Sequence, residues 1–471
     1  MGSSCRGIRF RSLHSAHSAF APKTTPNTCG ATHCRVTGLA FAVCDDSSNK
    51  TQSLSIGIKT VPEFLPFRGL RYTGGGVLDS VTAPPYDVID ADQRSALAAR
   101  DQFNAVRLIL PEASESNPNP YSVAAGLLSD WSADAVLTLD DTPAFYVYRM
   151  SFTERHGKAR TTTGVLGALS LPEHIGTGEV LPHERTLPKA KSDRLEILRT
   201  TRANLDPIWG LCTANGLTES LNAATKSAPL AECTDEFNVH HALWALTDPT
   251  GVEAVRDTLA AGPLVLADGH HRFETALAYR SEQGSTDHGS DAILCFVVEL
   301  EEKQLVVHAI HRLLSEVPTN FLDLVAKTFE VRDSGPHTAQ GIATLHDSVG
   351  IEDAIGLVLP DRLFLLVPAA NALDEACKSL PESLHDVASA HFETLIRPLL
   401  GEAALTYRND AEDCAEIVAN GGAAAAIILA PVSVGTIRDA GQAGVRMPEK
   451  TTFFWPKPRT GMVFRVLDSA S

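Results

Sequence analysis

The stretch Pro263-Leu264-Val265-Leu266-Ala267-Asp268-Gly269-His270-His271-Arg272 decides how this chain is read. Its unbroken apolar run, opened by Pro263, predicts a buried strand. Gly269 permits a tight turn. Residues 273–283 then carry a helical pattern that Gly284 ends. Strand, turn and helix crowd Asp268, His270, His271 and Arg272 onto one corner. A helix N-terminus placed there suits an anion such as phosphate, because its N–H groups and positive dipole end point at the ligand. Arg272 adds a planar fork of donors matched to phosphate oxygens. Asp268 can cap the helix or hold a metal ion. A capped helix with two packed histidines has the same sequence, but four polar groups are more than a cap requires.

Outward from this corner, strand and helix patterns follow in no fixed order. Residues 145–152 alternate like a strand, with 161–171 as partner. Residues 205–212 and 241–248 read as strands, and 252–261 as a helix stopped by Gly262. Residues 292–300 and 305–310 read as a strand pair. Asp90 or Asp92 can cap a helix from about Gln93. Residues 105–110 form a short apolar strand pattern, and 121–134 a helix with Trp131 inward. Ser192 or Asp193 opens a helix to about 203. Further on, 321–330, 384–400, 409–419 and 433–441 look helical, and 355–367 and 423–429 look like strands. This mixture predicts an α+β fold with a mixed sheet rather than a doubly wound one. Three parts are expected: an extension over 1–59, a core over 60–318 and a smaller α+β portion over 319–471.

Composition narrows the function classes. The chain has 471 residues, 44% hydrophobic and 21% charged, which is globular usage. Lys+Arg is 40 against Asp+Glu 57, a formal net charge of −17. An acidic surface argues against coating nucleic acid or anionic membranes, although a local basic pocket is compatible with it. The longest apolar stretch, 421–434, contains Pro431 and falls short of the ~20 residues a bilayer span needs. Nine cysteines without a C-x-x-C spacing argue against a disulfide scaffold or zinc ribbon. The first 44 residues hold five Arg or Lys and no Asp or Glu. They resemble an organelle transit peptide, and a plain disordered extension has the same composition. The expected location is the cytoplasm, or an organelle if this segment directs import.

Three other stretches carry polar chemistry. Pro182-His183-Glu184-Arg185-Thr186, with Lys189, Lys191, Asp193 and Arg194 behind it, reads as a catalytic or phosphate-gripping loop. A solvated charged loop entering a helix looks the same. Met447-Pro448-Glu449-Lys450-Thr451-Thr452-Phe453-Phe454-Trp455-Pro456-Lys457 sets Lys450 and Lys457 among aromatics that read as core. Pro84-Pro85-Tyr86-Asp87 is a rigid turn presenting Tyr86 and Asp87. The chain has no G-x-x-x-x-G-K-[ST], no H-E-x-x-H and no G-x-S-x-G, and no G-x-G-x-x-G follows a strand.

Together these four stretches resemble the bacterial and archaeal family known as domain of unknown function 1015. The family's A-P-P-Y-D-V-I stands at residues 83–89, and its H-E-x-T with D-R-L at 183–186 and 193–195. Its A-D-G-H-H-R stands at 267–272 and its M-P-x-K-[ST]-T-x-F-x-P-K near 447–457. The resemblance spans about 62–467 and implies no activity by itself. A second, more distant one is to the ParB/sulfiredoxin superfamily, carried by 195–198, Pro207-Ile208-Trp209-Gly210 and 265–272. It implies a nucleotide pocket in which Gly269, His270, His271 and Arg272 stand where ParB-like CTPases grip a triphosphate. Free-serine kinases of that superfamily carry a D-G-H-x-R similar to Asp268, Gly269, His270 and Arg272.

The leading expectation is thus a nucleotide-dependent phosphotransferase acting on a small hydroxylated metabolite, first of all a serine-like amino acid. Its expected partners are ATP, ADP or another nucleotide with Mg2+. Glu184 is the candidate to activate the hydroxyl, with His183 and Asp268 beside it. Lys189, Arg194 and 269–272 are the candidate phosphate grip, Asp268 the metal ligand, and Tyr86, Asp87 and Lys450 further contacts. Two alternatives stand: a ParB-like nucleotide switch without turnover, and a metal-dependent hydrolase using His183, His270 and His271. The acidic charge and the lack of an evident helix-turn-helix argue against nucleic acid as a partner.

Overall fold

Strand Phe145–Thr153 has two buried faces. Phe145 and Val147 enter one apolar cluster, while Tyr146, Tyr148 and Met150 enter another. Strand Leu264–Asp268 does the same, Leu264 and Leu266 facing one cluster and Val265 and Ala267 the other. A strand covered on both faces shows no polar alternation, which is why 264–267 reads as a continuous apolar run. The computed structural model describes residues 63–467 except 155–156, 174–179, 183–188, 285–287 and 302. They belong to one unit spanning 58–471.

Both strands belong to a ten-stranded sheet drawn from residues 64–299. Its central order is His240–Leu246, Phe145–Thr153, Ala159–Ser170, Ala292–Glu299, Ile208–Cys212, Leu264–Asp268 and Val180–Pro182. Most neighbours are antiparallel. Ala292–Glu299 runs parallel to Ile208–Cys212, and Leu264–Asp268 parallel to Val180–Pro182. The sheet is therefore mixed, and the fold is α+β. Helix His270–Gln283 leaves the end of Leu264–Asp268 and packs on helix Lys189–Thr201.

A second sheet of six antiparallel strands comes from residues 311–428. Two smaller sheets tie the chain together. Val306–Ala309 pairs with Thr452–Trp455. Phe464–Val466 sits between Gly69–Tyr72 and Ala203–Asn204. Among the described residues, no helix is long and apolar enough to cross a membrane.

Several local expectations need correcting. The 105–110 run is helix Val106–Ile109, not a strand. Asn104 Oδ1 accepts the Val106 N–H and starts the turn, and a short run buried on every side carries no period to read. Residues 292–300 and 305–310 do not pair with each other. The first inserts between Ala159–Ser170 and Ile208–Cys212, and the second finds its partner at 452–455. The 355–367 run is a hairpin, Ile355–Val358 and Arg362–Pro368, turned at Pro360-Asp361. Helix 321–330 stops at Val325, and strand Phe329–Pro336 follows. The helix expected from Ser192 opens earlier, at Lys189, and the one expected from Phe273 opens at His270.

Candidate functional site

The site begins with a register fault. Strand Leu264–Asp268 follows Ile208–Cys212 residue by residue up to Leu266, then skips so that Asp268 stands opposite Trp209. Such a bulge re-aims the next side chain. Gly269 follows at φ +86° and serves as the N-cap of helix His270–Gln283 without any side-chain cap. A Cβ on Gly269 would lie 2.9 Å from Ile208 Cγ2. Conformation and space thus both demand glycine. Gly269→Ala is expected to cost about 1–3 kcal/mol, read as a lowered melting temperature; an unchanged melt would mean that the turn relaxes freely.

Asp268 Oδ1 accepts the Gly269 N–H at 2.8 Å, and Oδ2 accepts Lys457 Nζ at 2.5 Å. Arg272 Nη2 stands 3.8 Å from Oδ2. Burial alone would raise the carboxyl's pKa, but Lys457 and Arg272 prevail and hold it well below the usual carboxylate range. The ion pair joins residues 189 apart in sequence, so the 267–272 and 447–457 motifs meet here.

Arg272 does not face the same space as Gly269. Its guanidinium donates to the Pro207 carbonyl and lies among Asp268, Asp87, Asp206 and Tyr86. Burial works against its charge, and these neighbours outweigh it, raising its pKa. Asp206 is buried and accepts a hydrogen bond from Thr460 Oγ1. Burial pushes the Asp206 carboxyl up, against the pull of Arg272. Tyr86 packs under two guanidinium groups, Arg194 at 4.1 Å and Arg272 at 5.9 Å from its ring centre.

In front of this cluster lies a cleft of about 580 Å³. One wall is Tyr86, Asp87, Asp90 and Gln93, and the floor is the 267–271 turn. Lys450, Thr452, Phe453 and Lys457 come from the third motif, and Tyr407, Arg408, Asn409 and Asp413 form the far wall. The volume suits a small ligand. Lys450 holds φ +56°, an uncommon backbone for a residue with a side chain. Buried Arg312 fixes that turn by donating to the Lys450 carbonyl at 3.0 Å and the Glu449 carbonyl at 3.3 Å.

Of the expected residues, Tyr86, Asp87, Asp268, Gly269, His270, His271 and Lys450 line the cleft. Arg272 and Arg194 do not. They line a cavity of about 50 Å³ behind it, together with Asp206 and Thr275. Arg194 also pairs with Asp193. The Pro207 carbonyl and the surrounding acids already engage Arg272. His183 and Glu184 lie outside the described residues, and for Lys189 only the backbone is described, at the helix start. Tyr407, Arg408, Asn409 and Asp413 escaped the sequence reading. The 409–419 pattern announced only a helix, and nothing local says that its first turn faces a site 140 residues away. Asp206, just before the Pro207-Ile208 strand start, was missed as well.

The metal role expected of Asp268 meets a different partner. Both of its carboxylate oxygens are engaged, one by an ammonium, and the described residues contain no group of three ligating side chains. The described lining of the cleft therefore does not fit a metal ion held by the protein alone.

Residues 64–387 match the family described as protein of unknown function (DUF1015), and that match covers more than half of the sequence. The chain belongs to the DUF1015 family. The cleft of this DUF1015 protein combines residues inside that match, such as Asp87 and Asp268, with Lys450 and Lys457 beyond it. No curated protein matches the sequence. Several solved structures resemble the DUF1015 chain at low similarity. A free serine kinase in complex with AMP is 13% identical, with a TM-score of 0.34, covering 61% of this chain and 88% of that one. A conserved hypothetical protein from Pyrococcus furiosus is 11% identical, with a TM-score of 0.33 and coverages of 62% and 94%. SbnI with a C-terminal truncation, from Staphylococcus aureus, is 12% identical, with a TM-score of 0.32 and coverages of 65% and 90%.

Proposed function

We propose that the cleft binds the phosphates of a nucleotide and passes a phosphoryl group to a small hydroxylated metabolite. The observation that carries this reading is the convergence of three distant stretches, 86–90, 267–271 and 450–457, on one cleft. The start of helix His270–Gln283 forms its floor and Lys450, Lys457 and Arg408 stand around it. A helix N-terminus with cations beside it suits a polyanion.

In the transfer itself, the hydroxyl oxygen bonds to phosphorus as the bond to the nucleotide's bridging oxygen breaks, and the hydroxyl proton passes to a base. Asp87 and Asp413 both line the cleft and supply carboxylates; Glu184 is the candidate from sequence. A serine-like amino acid is the first acceptor to try. Mg2+ would arrive with the nucleotide phosphates rather than in a protein cage.

The test is thermal stabilisation by ATP, ADP and inorganic tripolyphosphate with Mg2+, followed by metabolite-dependent ADP or AMP release. A ligand at about 100 times its dissociation constant stabilises by about 2.7 kcal/mol. Stabilisation with acceptor-dependent release is the expected result. Stabilisation without release under any acceptor would favour a nucleotide switch, and no stabilisation would remove the reading.

A further inference from the structure

The two-stranded sheet beside the cleft has one buried and one open face. Phe454 points inward, fully buried, with its ring centre 5.5 Å from that of Trp209. Its neighbours Phe453 and Trp455 point the other way and are only half-buried. Opposite them across the strand pair stand His308 and Val306. His308 is exposed, 6.4 Å from the Phe453 ring and 6.3 Å from Trp455. Phe237 extends the row, 5.1 Å from Trp455 and 60% exposed. Four aromatic rings, each edge-on or tilted to the next, therefore adjoin one another on one open face.

This row begins inside the cleft. Phe453 is a lining residue, and Lys457 Nζ sits 4.6 Å above its ring while pairing with Asp268. The phosphate end and the aromatic row thus share one residue. An open aromatic row needs a reason, because burying such rings is favourable. Successive aromatic faces next to cations are how proteins hold nucleobases without reading their edges, since every base has a π-face.

We propose that the row Phe453–His308–Trp455 is the subsite for the base of a nucleoside polyphosphate whose phosphates occupy the cleft. The subsite rests on the phosphate-binding reading above and adds what that reading lacks, a place for the ring. It takes purines and pyrimidines alike, and purines more tightly because they stack over more area.

The experiment compares ATP with inorganic tripolyphosphate by calorimetry on the full chain. Fluorescence provides a second readout, because Trp131, Trp209 and Trp244 are buried and Trp455 alone of the four tryptophans is not. Wild type should bind ATP about five- to a hundredfold more tightly than tripolyphosphate, and ATP should quench emission where tripolyphosphate does not. Trp455→Ala should erase the affinity margin, and Trp455→Phe should keep most of it. His308→Ala, at an exposed position, should shrink the margin and covers the case that Trp455→Ala misfolds. Equal affinities in wild type, or an unchanged margin in Trp455→Ala and His308→Ala, would overturn the subsite while leaving the phosphate reading intact. Failure of both ligands to bind would overturn both.

Discussion

Arg272→Ala should destabilise the protein by about 3–5 kcal/mol, the usual cost of removing one partner from a buried ion cluster. The reason lies behind the cleft. Arg272 is the main counter-charge of buried Asp206 and also stands against Asp268 and Asp87. Lys457 still pairs with Asp268 in the variant, but Asp206 keeps only Thr460 and the weaker field of Arg194. The deficit should depend on pH in a definite direction. Burial already raises the Asp206 carboxyl above its ordinary value of 3.8, and losing Arg272 raises it further. A raised carboxyl favours the folded state where it is protonated and penalises it where it ionises. The variant should therefore lose most near neutrality and recover part of the loss as pH falls. Urea unfolding at two pH values measures this. Arg272→Lys should recover only part, because an ammonium cannot reach the Pro207 carbonyl and the acids in one plane. A deficit below about 1 kcal/mol at neutral pH would show that the cluster is not what holds this corner.

Lys457→Met should affect the ligand more than the fold. Replacing the ammonium by an apolar side chain removes a charge-assisted contact worth about 1.5–3 kcal/mol, or about ten- to a hundredfold in affinity for an anion. It also turns the Asp268 carboxylate loose at the cleft floor, which repels the same anion. The pH dependence of its deficit runs in the same direction as that of Arg272→Ala but acts through a different carboxyl, Asp268. Lys457 and Arg272 depress the Asp268 carboxyl. That contribution to stability is complete above the ordinary value of 3.8 and is lost as pH falls below it. Lys457→Met should weaken this acid-side loss, because less stabilisation remains to be lost. Calorimetry with tripolyphosphate and acid titration of the unfolding midpoint read the two effects separately. Unchanged anion affinity would take Lys457 out of the binding floor.

Much of this arrangement was legible, and the illegible part has physical causes. The strand–turn–helix at 264–283 announced itself through burial on both faces, an obligatory glycine and a polar cluster. The rigid Pro84-Pro85 turn and the lysines after Met447 were readable as local chemistry. What no local pattern reveals is which distant strand a segment chooses. Val306–Ala309 next to Ala292–Glu299 looks like a hairpin, yet it pairs with a stretch about 150 residues later. For the same reason Arg408 and Asp413 were invisible, since the second sheet alone brings them to the cleft. A guanidinium after a glycine turn reads as a phosphate ligand, and no local pattern shows that the Pro207 carbonyl and buried Asp206 stand beside it.

The small sheet in which Phe464–Val466 joins Gly69–Tyr72 to Ala203–Asn204 has a consequence for how the molecule comes into being. Phe464–Val466 bridges Gly69–Tyr72 and Ala203–Asn204, and Lys457 arrives with it. During synthesis the whole ten-stranded sheet has emerged from the ribosome long before either is made. The nascent chain must therefore wait with Gly69–Tyr72 and Ala203–Asn204 unbridged, and Asp268 without its lysine, until the stretch after Met447 appears. The cleft lining is completed in one late event, so a ribosome that stalls just before Met447 releases a polypeptide with a nearly full set of strands and an incomplete cleft.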